Sequence, residues 1–385
     1  MIDYATVTYC NNSDTEDLRS KSKTKAAYLN DEYLLRPWSF VLSIWRGAKR
    51  HLLTGKEAKR RLSVHLLRPP EPDALARLRA ALHPDVHLTL GPDLPVPAEY
   101  HVLVAGRPQR EHITASRNLR ALIIPWSGIP APTRALMLGF PHIAVHNLHH
   151  NAAAAAEMAV AMMLAAAKFI VPIDRTFRAH DWTPRYRPNP AVLLAGRTAL
   201  ILGYGAIGQR AARTCRGLGM QVMATRRRPT ASPGDAPVEI HPPDALHRLL
   251  PRANALIICL PHTPETEALI GEKELALLPP GAVLVNVGRG PIVDEAALYN
   301  ALHDGTLYAA GLDVWYNYPA DEADRSYTPP SAYPFHQLDN VVMSPHRAGG
   351  SRETDMQRMA HLAELLNAAA RGEPMPNRVE LEAGY

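Results

Sequence analysis

Short apolar runs recur along most of this chain and alternate with stretches of helical periodicity. Runs of this length, bounded by glycine, proline and polar residues, are typical of buried strands. Strands that alternate with helices favour a parallel sheet with both faces covered. The predicted strands form two series and cover residues 62–67, 86–90, 100–104, 121–124, 143–145, 198–202, 222–225, 255–259, 282–286, 309–314 and 341–343. The pattern therefore predicts an α/β protein with two doubly wound parallel-sheet domains.

The length of 385 residues also favours two domains, because a single core rarely grows to that size. We expect one domain to comprise residues 59–150 and 351–385, and the other to comprise residues 151–350. Residues 1–58 are predicted to be an N-terminal extension that is partly disordered. Two tryptophans in its basic segment leave a membrane-surface or partner-binding helix open as the alternative.

Charge and hydropathy limit the kinds of binding partner that we expect. The net charge is +5, but Lys and Arg are spread along the chain and no nucleic-acid-binding motif is present, so small anionic ligands account for the excess. The most apolar stretch, residues 152–171, is interrupted by Glu157 and Lys168. We therefore predict a buried helix there and no membrane partner.

The number and spacing of the cysteines indicate the cellular compartment. Cys10, Cys215 and Cys259 lie far apart and form neither a C-x-x-C pair nor a disulfide framework. Residues 1–30 are polar and do not resemble a signal peptide. A reducing cytoplasm is the compartment that we expect.

A glycine-rich turn carries the first chemical signal. The predicted strand at 198–202 runs directly into Gly203, Gly205 and Gly208, and a helical pattern follows. In this context a G-x-G-x-x-G motif permits a tight turn, close approach of backbone to a pyrophosphate, and helix–strand packing. The helix N-terminus adds free N–H groups and partial positive charge. We predict a dinucleotide site here.

The end of the next strand indicates which dinucleotide binds. An acid that hydrogen-bonds the ribose is usual about 20 residues after such a turn. This chain instead has Arg226, Arg227 and Arg228. Guanidinium groups pair with a 2′-phosphate, which a carboxylate would repel. The loop favours NADP(H) and leaves NAD(H) open.

Three further segments, at 286–295, 310–319 and 344–349, each follow a predicted strand. Ligands of open α/β sheets bind at the carboxyl ends of strands. Together with the glycine turn, this order of motifs resembles the D-isomer-specific 2-hydroxyacid dehydrogenase family over about residues 60–385. The resemblance implies a Rossmann cofactor domain inserted into a flavodoxin-like substrate domain, a homodimer, and hydride transfer between NAD(P)(H) and a small 2-oxo or 2-hydroxy acid such as glyoxylate or hydroxypyruvate.

The resemblance also implies roles for particular residues. Arg289 would bind the substrate carboxylate and polarise the carbonyl oxygen. His346 would supply the proton in reduction and accept it in oxidation. Asp313 would hold the nicotinamide carboxamide. The substrate-binding residues implied are Trp126, Ser127, Gly128 and Asn151. The cofactor-binding residues implied are Gly203, Gly205, Ala206, Ile207, Gly208, Arg226, Arg227, Arg228, Leu260, Pro261, Val287 and Asp313.

One position departs from the family pattern. The family usually has a Glu before the proline of the Asp313 segment, where it pairs with the histidine, and this chain has Tyr318. A neutral tyrosine can hydrogen-bond His346 but cannot stabilise imidazolium by charge. We therefore expect a lower pKa for His346 than in relatives with Glu. Formate dehydrogenases of the same superfamily also lack this Glu.

Besides a formate-type dehydrogenase, two alternatives stay open at the level of sequence. His146, His149 and His150 could ligate a metal, although a polar rim to the substrate cleft without any metal is the prediction that we favour. The unusual N-terminus and Tyr318 would also suit a dinucleotide-sensing or scaffold protein with weak turnover. The presence of both Arg289 and His346 favours an active enzyme over a sensor or scaffold.

Overall fold

The computed structural model describes residues 61–227 and 237–382. The predictions made for residues 1–58 and for Arg228 lie outside the described residues.

The first sheet has five parallel strands, and three of its four connections contain a short helix. Its order, β2-β1-β3-β4-β5, is the flavodoxin-like order. The strands are β1 (Leu62–Leu66), β2 (Val86–Leu90), β3 (Val102–Val104), β4 (Ala121–Ile124) and β5 (Ala144–Asn147), with helices α1 (Pro72–Ala81), α2 (Arg110–Thr114) and α3 (Ala131–Leu138). The C-terminal segment extends this sheet, since Arg378 forms an antiparallel bridge with His146 of β5.

The second sheet has seven parallel strands in the order β12-β11-β10-β9-β6-β7-β8. The strands are β6 (Thr198–Leu202), β7 (Gln221–Thr225), β8 (Glu239–His241), β9 (Ala255–Ile258), β10 (Val283–Asn286), β11 (Ala309–Leu312) and β12 (Val341–Met343), with helices α6 (Ala206–Gly217), α7 (Leu246–Leu249), α8 (Glu272–Ala276) and α9 (Glu295–Asp304). The strand order reverses between β6 and β9, and the carboxyl ends there form the crevice in which such sheets bind ligands. The prediction of two parallel-sheet α/β domains is confirmed.

Three helices accompany the chain as it passes between the sheets: α4 (Ala152–Ala167), α5 (Ile170–Arg178) and α10 (Thr354–Ala370). The core face of α4 packs with strands of the second sheet. The core face of α10 instead packs with β1, β3 and β4 of the first sheet. The chain therefore crosses from one core to the other just before α4 and returns just before α10.

Small residues let α4 lie close to the second sheet. A Cβ atom added at Gly311 of β11 would fall 2.8 Å from the Cβ of Met162. Nine of the sixteen α4 residues are buried, which agrees with the buried helix predicted from sequence. Among the described residues no single helix is long and apolar enough to span a membrane, and the one consecutive pair that passes by length and composition, α4 with α5, is bent by 67°.

The interior of each sheet is tightly packed and apolar. Leu200 and Ile201 of β6 are completely buried, as are all four residues of β9. Cys215 is also buried, and burial raises the pKa of the Cys215 and Cys259 thiols to about 12. Both thiols therefore stay protonated and unreactive at neutral pH.

Candidate active site

A cavity of about 1030 Å³ lies where the loops of the two sheets face each other. On one wall it is lined by the segment from Trp126 to Ala131, which follows β4. The opposite wall is formed by the loops after β6, β9 and β10 of the second sheet. Of the residues predicted to bind substrate or cofactor, those that line it are Trp126, Ser127, Gly128, Asn151, Gly205, Ala206, Ile207, Gly208, Leu260, Pro261, Val287 and Arg289.

Two of the three glycines in the turn after β6 are required by the backbone geometry. Gly203 has φ +95°, a left-handed conformation that other residues rarely adopt. A Cβ at Gly208 would lie 2.2 Å from the carbonyl oxygen of Gly203, so only glycine lets α6 pack against the strand. Gly205 has no atom within 4 Å of its added Cβ, and it caps the N-terminus of α6 at the cavity. This cradle of backbone N–H groups fits a dinucleotide pyrophosphate.

Arg226 and Arg227 follow β7, so they lie at the same edge of the sheet as the glycine turn that follows β6. Neither residue lines the cavity. The backbone N–H of Arg226 donates to the carbonyl of His241, 2.9 Å away, which fixes the start of the loop. Its Nη1 atom is buried and has no hydrogen-bond partner among the described residues, and the same is true of His241 Nε2. A buried guanidinium nitrogen without a partner is costly, and an anionic group would satisfy it.

The Arg289 loop is held by the residue that ends β10. Asn286 accepts the Gly288 N–H at 3.0 Å through Oδ1 and donates to the Arg289 carbonyl at 2.9 Å through Nδ2. The Arg289 Nη1 atom donates to the Gly288 carbonyl at 2.6 Å. The other arm reaches across the cavity, since a Cβ at Gly128 would fall 2.6 Å from Nη2. The guanidinium therefore lies against the backbone of the predicted substrate loop.

The His346 loop is organised by Asp313, which is completely buried. Its carboxylate accepts from the Ser344 hydroxyl at 2.5 Å and from the backbone N–H groups of Arg347 and Ala348 at 2.8 and 2.9 Å. Its carbonyl accepts the His346 N–H at 2.8 Å. These bonds hold the exposed His346 in a left-handed conformation, φ +56°. His346 is not among the described residues that line the cavity.

This role of Asp313 was not foreseen from sequence. The contacts show it as the residue that fixes the histidine loop, and Ser344 as a partner that the sequence analysis missed. Contact with a nicotinamide carboxamide stays a prediction.

Tyr318 lies beside the imidazole. The ring centroids of Tyr318 and His346 are 5.5 Å apart and tilted by 57°. The Tyr318 hydroxyl accepts the Trp315 N–H at 3.1 Å, so the tyrosine closes the turn that precedes it. Burial raises the pKa of Tyr318 above its usual value, and the group is neutral at physiological pH.

Arg289 and His346 act on each other electrostatically. Burial lowers the pKa of His346, and the positive charge of Arg289 lowers it further, whereas Asp313 opposes the shift. The guanidinium also affects the titration of Tyr318. The structure thus places the Tyr318 ring beside His346, and both groups feel the charge of Arg289. A shared catalytic role for the three stays a prediction.

Packing and hydrogen bonds from neighbouring segments hold the predicted substrate loop in place. The indole of Trp126 packs onto the backbone at Gly106, where an added Cβ would overlap the ring. Asn147, at the end of β5, donates to the Ser127 carbonyl at 2.7 Å. Asn151 lies beside the histidine loop, since a Cβ at Gly349 would be 2.5 Å from its Nδ2.

The histidines near β5 serve separate structural contacts. His146 Nδ1 lies 2.8 Å from the Pro376 carbonyl, and the His149 N–H donates to His361 Nδ1 at 3.1 Å. Burial lowers the pKa of His150 to about 4, with a further contribution from Arg358. In the described part of the chain no three His, Cys, Asp or Glu side chains are arranged to share a metal ion. Of the three, His149 lines the cavity, which is where a polar rim was predicted.

Comparisons with known proteins point the same way. Residues 160–348 match the family model for the NAD binding domain of D-isomer specific 2-hydroxyacid dehydrogenases. The glyoxylate reductase of Aeropyrum pernix is 38% identical over 236 residues, which make up 60% of this chain and 67% of that protein. The glyoxylate reductase of Korarchaeum cryptofilum is 36% identical over 234 residues, or 59% of this chain and 66% of that protein. The matched segment thus spans about two thirds of the length of these relatives.

The fold has a similar match among solved structures. The D-isomer specific 2-hydroxyacid dehydrogenase of Xanthobacter autotrophicus, solved in complex with NADPH and MES, superposes with a TM-score of 0.68 at 27% identity. The match covers 84% of this chain and 99% of that one. With its glycine turn and the three strand-end motifs, the chain belongs to the D-isomer-specific 2-hydroxyacid dehydrogenase family.

Proposed function

We propose that this protein is an oxidoreductase that interconverts a 2-oxo acid and the corresponding 2-hydroxy acid, with NADP(H) as its preferred cofactor. The observation that carries the proposal is the placement of Arg289 and His346. Arg289 lines the cavity together with Asn151, Asn151 lies beside the loop that carries His346, and the charge of Arg289 lowers the pKa of His346. A cation and a proton carrier at one site are what reduction of a carbonyl beside a carboxylate requires.

The residues around the crevice fit a dinucleotide. The open backbone at Gly205 and the N-terminus of α6 would hold the pyrophosphate, and Leu260, Pro261 and Val287 would line its path along the cavity. The Arg226 Nη1 atom, which has no hydrogen-bond partner among the described residues, supports NADP(H) over NAD(H), as does the next residue in sequence, Arg227. When bound, this cofactor supplies or accepts the hydride.

Side chains of the protein would bind the negative charge of the substrate and transfer the proton. Arg289, with its arm against Gly128, would bind the carboxylate and the carbonyl oxygen of the substrate. His346 would donate a proton to that oxygen during reduction and recover it during oxidation. Asp313 keeps the imidazole in place through three hydrogen bonds to its loop.

The test is NADPH oxidation, followed at 340 nm, with a panel of 2-oxo acids that includes glyoxylate and hydroxypyruvate. We expect turnover with at least one acid, and at least a hundredfold lower kcat/KM in the Arg289→Gln and His346→Gln variants. Exposed Arg213→Gln on α6 is the matched control and should not alter turnover. NADPH binding without oxidation on any substrate would instead favour the sensor or scaffold.

The cofactor preference has its own test. NADPH should give a higher kcat/KM than NADH, and Arg226→Gln should reduce that ratio at least tenfold while leaving the NADH value nearly unchanged. Equal ratios in wild type and variant would remove the support that Arg226 gives to NADP(H).

A formate-type reaction is the second candidate, because no described carboxylate contacts the His346 imidazole and hydride transfer from formate needs no proton from a histidine. Formate with NADP⁺, run beside the panel, separates the two. Reduction of NADP⁺ by formate without activity on any 2-oxo acid would replace the main proposal.

We also propose a homodimer. The helix α5 and the segment after it expose an apolar surface that includes Ile170, Val171, Phe177 and Trp182, each between 47 and 59% exposed. Surfaces of this kind mark protein contacts, and the family resemblance implies a dimer. Light scattering after size exclusion should give twice the chain mass, and Phe177→Glu should shift it to the monomer.

A further inference from the structure

Three arginines other than Arg289 line the cavity on the side of the first sheet. They are Arg107 after β3, Arg134 on α3, and Arg378 in the C-terminal segment. The one carboxylate among the described lining residues, Glu267, contacts His262 on the opposite wall. This end of the cavity is therefore strongly positive.

Hydrogen bonds hold the three segments together. The Thr133 hydroxyl of α3 donates to the Gly106 carbonyl at 2.9 Å, next to Arg107. Arg134 donates from Nε and Nη2 to the carbonyls of Leu381 and Glu382, both at 2.7 Å. Arg134 is thus engaged in fastening the C-terminal segment, and it holds Arg378 near the cavity.

Arg378 is fixed by its neighbours on both sides. Asn377 adopts φ +57°, its carbonyl accepts the Asn147 N–H at 3.2 Å, and its side chain lies 3.1 Å from His361 Nε2. Val379 is buried, and its N–H donates to the Val145 carbonyl at 2.8 Å. Arg378 therefore extends from an ordered edge of the sheet, close to the Asn147 side chain that supports the Ser127 carbonyl.

Arg107 lies on the other side of the same loop. It follows Gly106, onto which the Trp126 indole packs. Arg107 and Arg378 therefore both lie near the predicted substrate loop, residues 126–128.

Within the described part of the chain, neither arginine takes part in an ion pair. The ion pairs formed among the described residues involve other arginines and include neither Arg107 nor Arg378. Clefts lined by one sign of charge concentrate ligands of the opposite sign. Guanidinium groups bind carboxylate and phosphate bidentately, with a geometry that suits both.

We propose that Arg107 and Arg378 bind a second anionic group of the substrate, so that the preferred substrates are 2-oxo acids with a terminal carboxylate or phosphate. This inference rests on the proposed function, because it assigns Arg289 to the first carboxylate. It also implies that glyoxylate, which has no second anionic group, is a poor substrate.

Binding can be measured apart from turnover. The full-length protein, loaded with NADP⁺, is titrated calorimetrically with hydroxypyruvate, with its 3-phosphate ester and with 2-oxobutanedioate. We expect at least one dianionic acid to bind ten times more tightly than hydroxypyruvate. The more tightly bound of the two identifies the second group as phosphate or carboxylate.

Three variants test which arginines cause the preference for dianionic acids. Arg107→Gln and Arg378→Gln should each weaken binding of the dianionic acid about tenfold and change hydroxypyruvate binding less than twofold. Arg117→Gln, an exposed arginine of the same domain that does not line the cavity, should change neither. Equal affinity of the wild type for all three acids would overturn the inference, and so would a dianion preference that survives in both variants. Binding with the expected preference but no NADPH oxidation would leave this site standing and overturn the proposed function alone.

Discussion

The replacement of Tyr318 by Glu tests how this site sets the protonation of its histidine. Tyr318 and His346 have ring centroids 5.5 Å apart, so a carboxylate at this position would lie about 5 Å from the imidazole. At that distance opposite charges attract by about 1 kcal/mol in water and about 3 kcal/mol near a protein surface. Tyr318 is 47% exposed, which places the effect toward the lower value. A shift of about one unit in the pKa of His346 follows.

The direction of the shift follows from the reaction. In wild type, burial and the charge of Arg289 hold the pKa of His346 below its usual value. Carbonyl reduction needs the imidazolium form, so kcat/KM should fall as pH rises through that pKa. Tyr318→Glu raises the pKa and should move this limb about one unit to higher pH, which widens the active range.

The assay is the pH dependence of kcat/KM for NADPH-dependent reduction, from about pH 4.5 to 9. Tyr318→Gln is the matched control, because it has the size of Glu without the charge and should leave the limb where it lies in wild type. Coincident limbs for wild type and Tyr318→Glu would refute the assignment of His346 as the proton donor that position 318 controls.

Three further predictions concern the framework of the site. Gly208→Ala should weaken NADPH binding at least tenfold in a fluorescence titration, because its Cβ would overlap a backbone carbonyl, whereas Gly217→Ala on the same helix, with open space around it, should bind normally. Asp313→Asn should lower the free energy of unfolding in urea by about 1–3 kcal/mol, since its amide cannot accept from all the donors of the histidine loop; an unchanged unfolding midpoint would contradict this. Leu200→Ala, at a completely buried position of the second sheet, should lower the free energy of unfolding by about 2–5 kcal/mol in the same measurement. Leu277→Ala, at a position 36% exposed, should lower it much less.

Local pattern was sufficient to predict most of the fold. Buried parallel strands such as β6 and β9 are short and wholly apolar, and that signal lies within the strand itself. The edge strand β8, with the sequence Glu-Ile-His, was missed because it is short, largely polar and only partly buried. The glycine turn could be assigned because its backbone needs residues without a Cβ.

The candidate site was predictable only in part. The strand-end motifs identified Arg289 and His346, which follow strands close in space. Asn147 and Arg378 were missed, because they reach the cavity through contacts between segments about 230 residues apart, and no local pattern encodes those contacts. Tyr318 has a group that can hydrogen-bond His346. Its hydroxyl instead accepts from the backbone of Trp315, since the turn brings that N–H within 3.1 Å.

The proposed function requires that Arg289 and His346 act on one substrate beside the cofactor. The most direct measurement uses NADPH deuterated at both C4 positions, incubated with the protein and the most active 2-oxo acid of the panel, followed by mass spectrometry of the product. We predict a 2-hydroxy acid that carries one deuterium at C2, formed by wild type and lost in His346→Gln. A protein that binds this NADPH but yields no deuterated product with any acid would contradict the account.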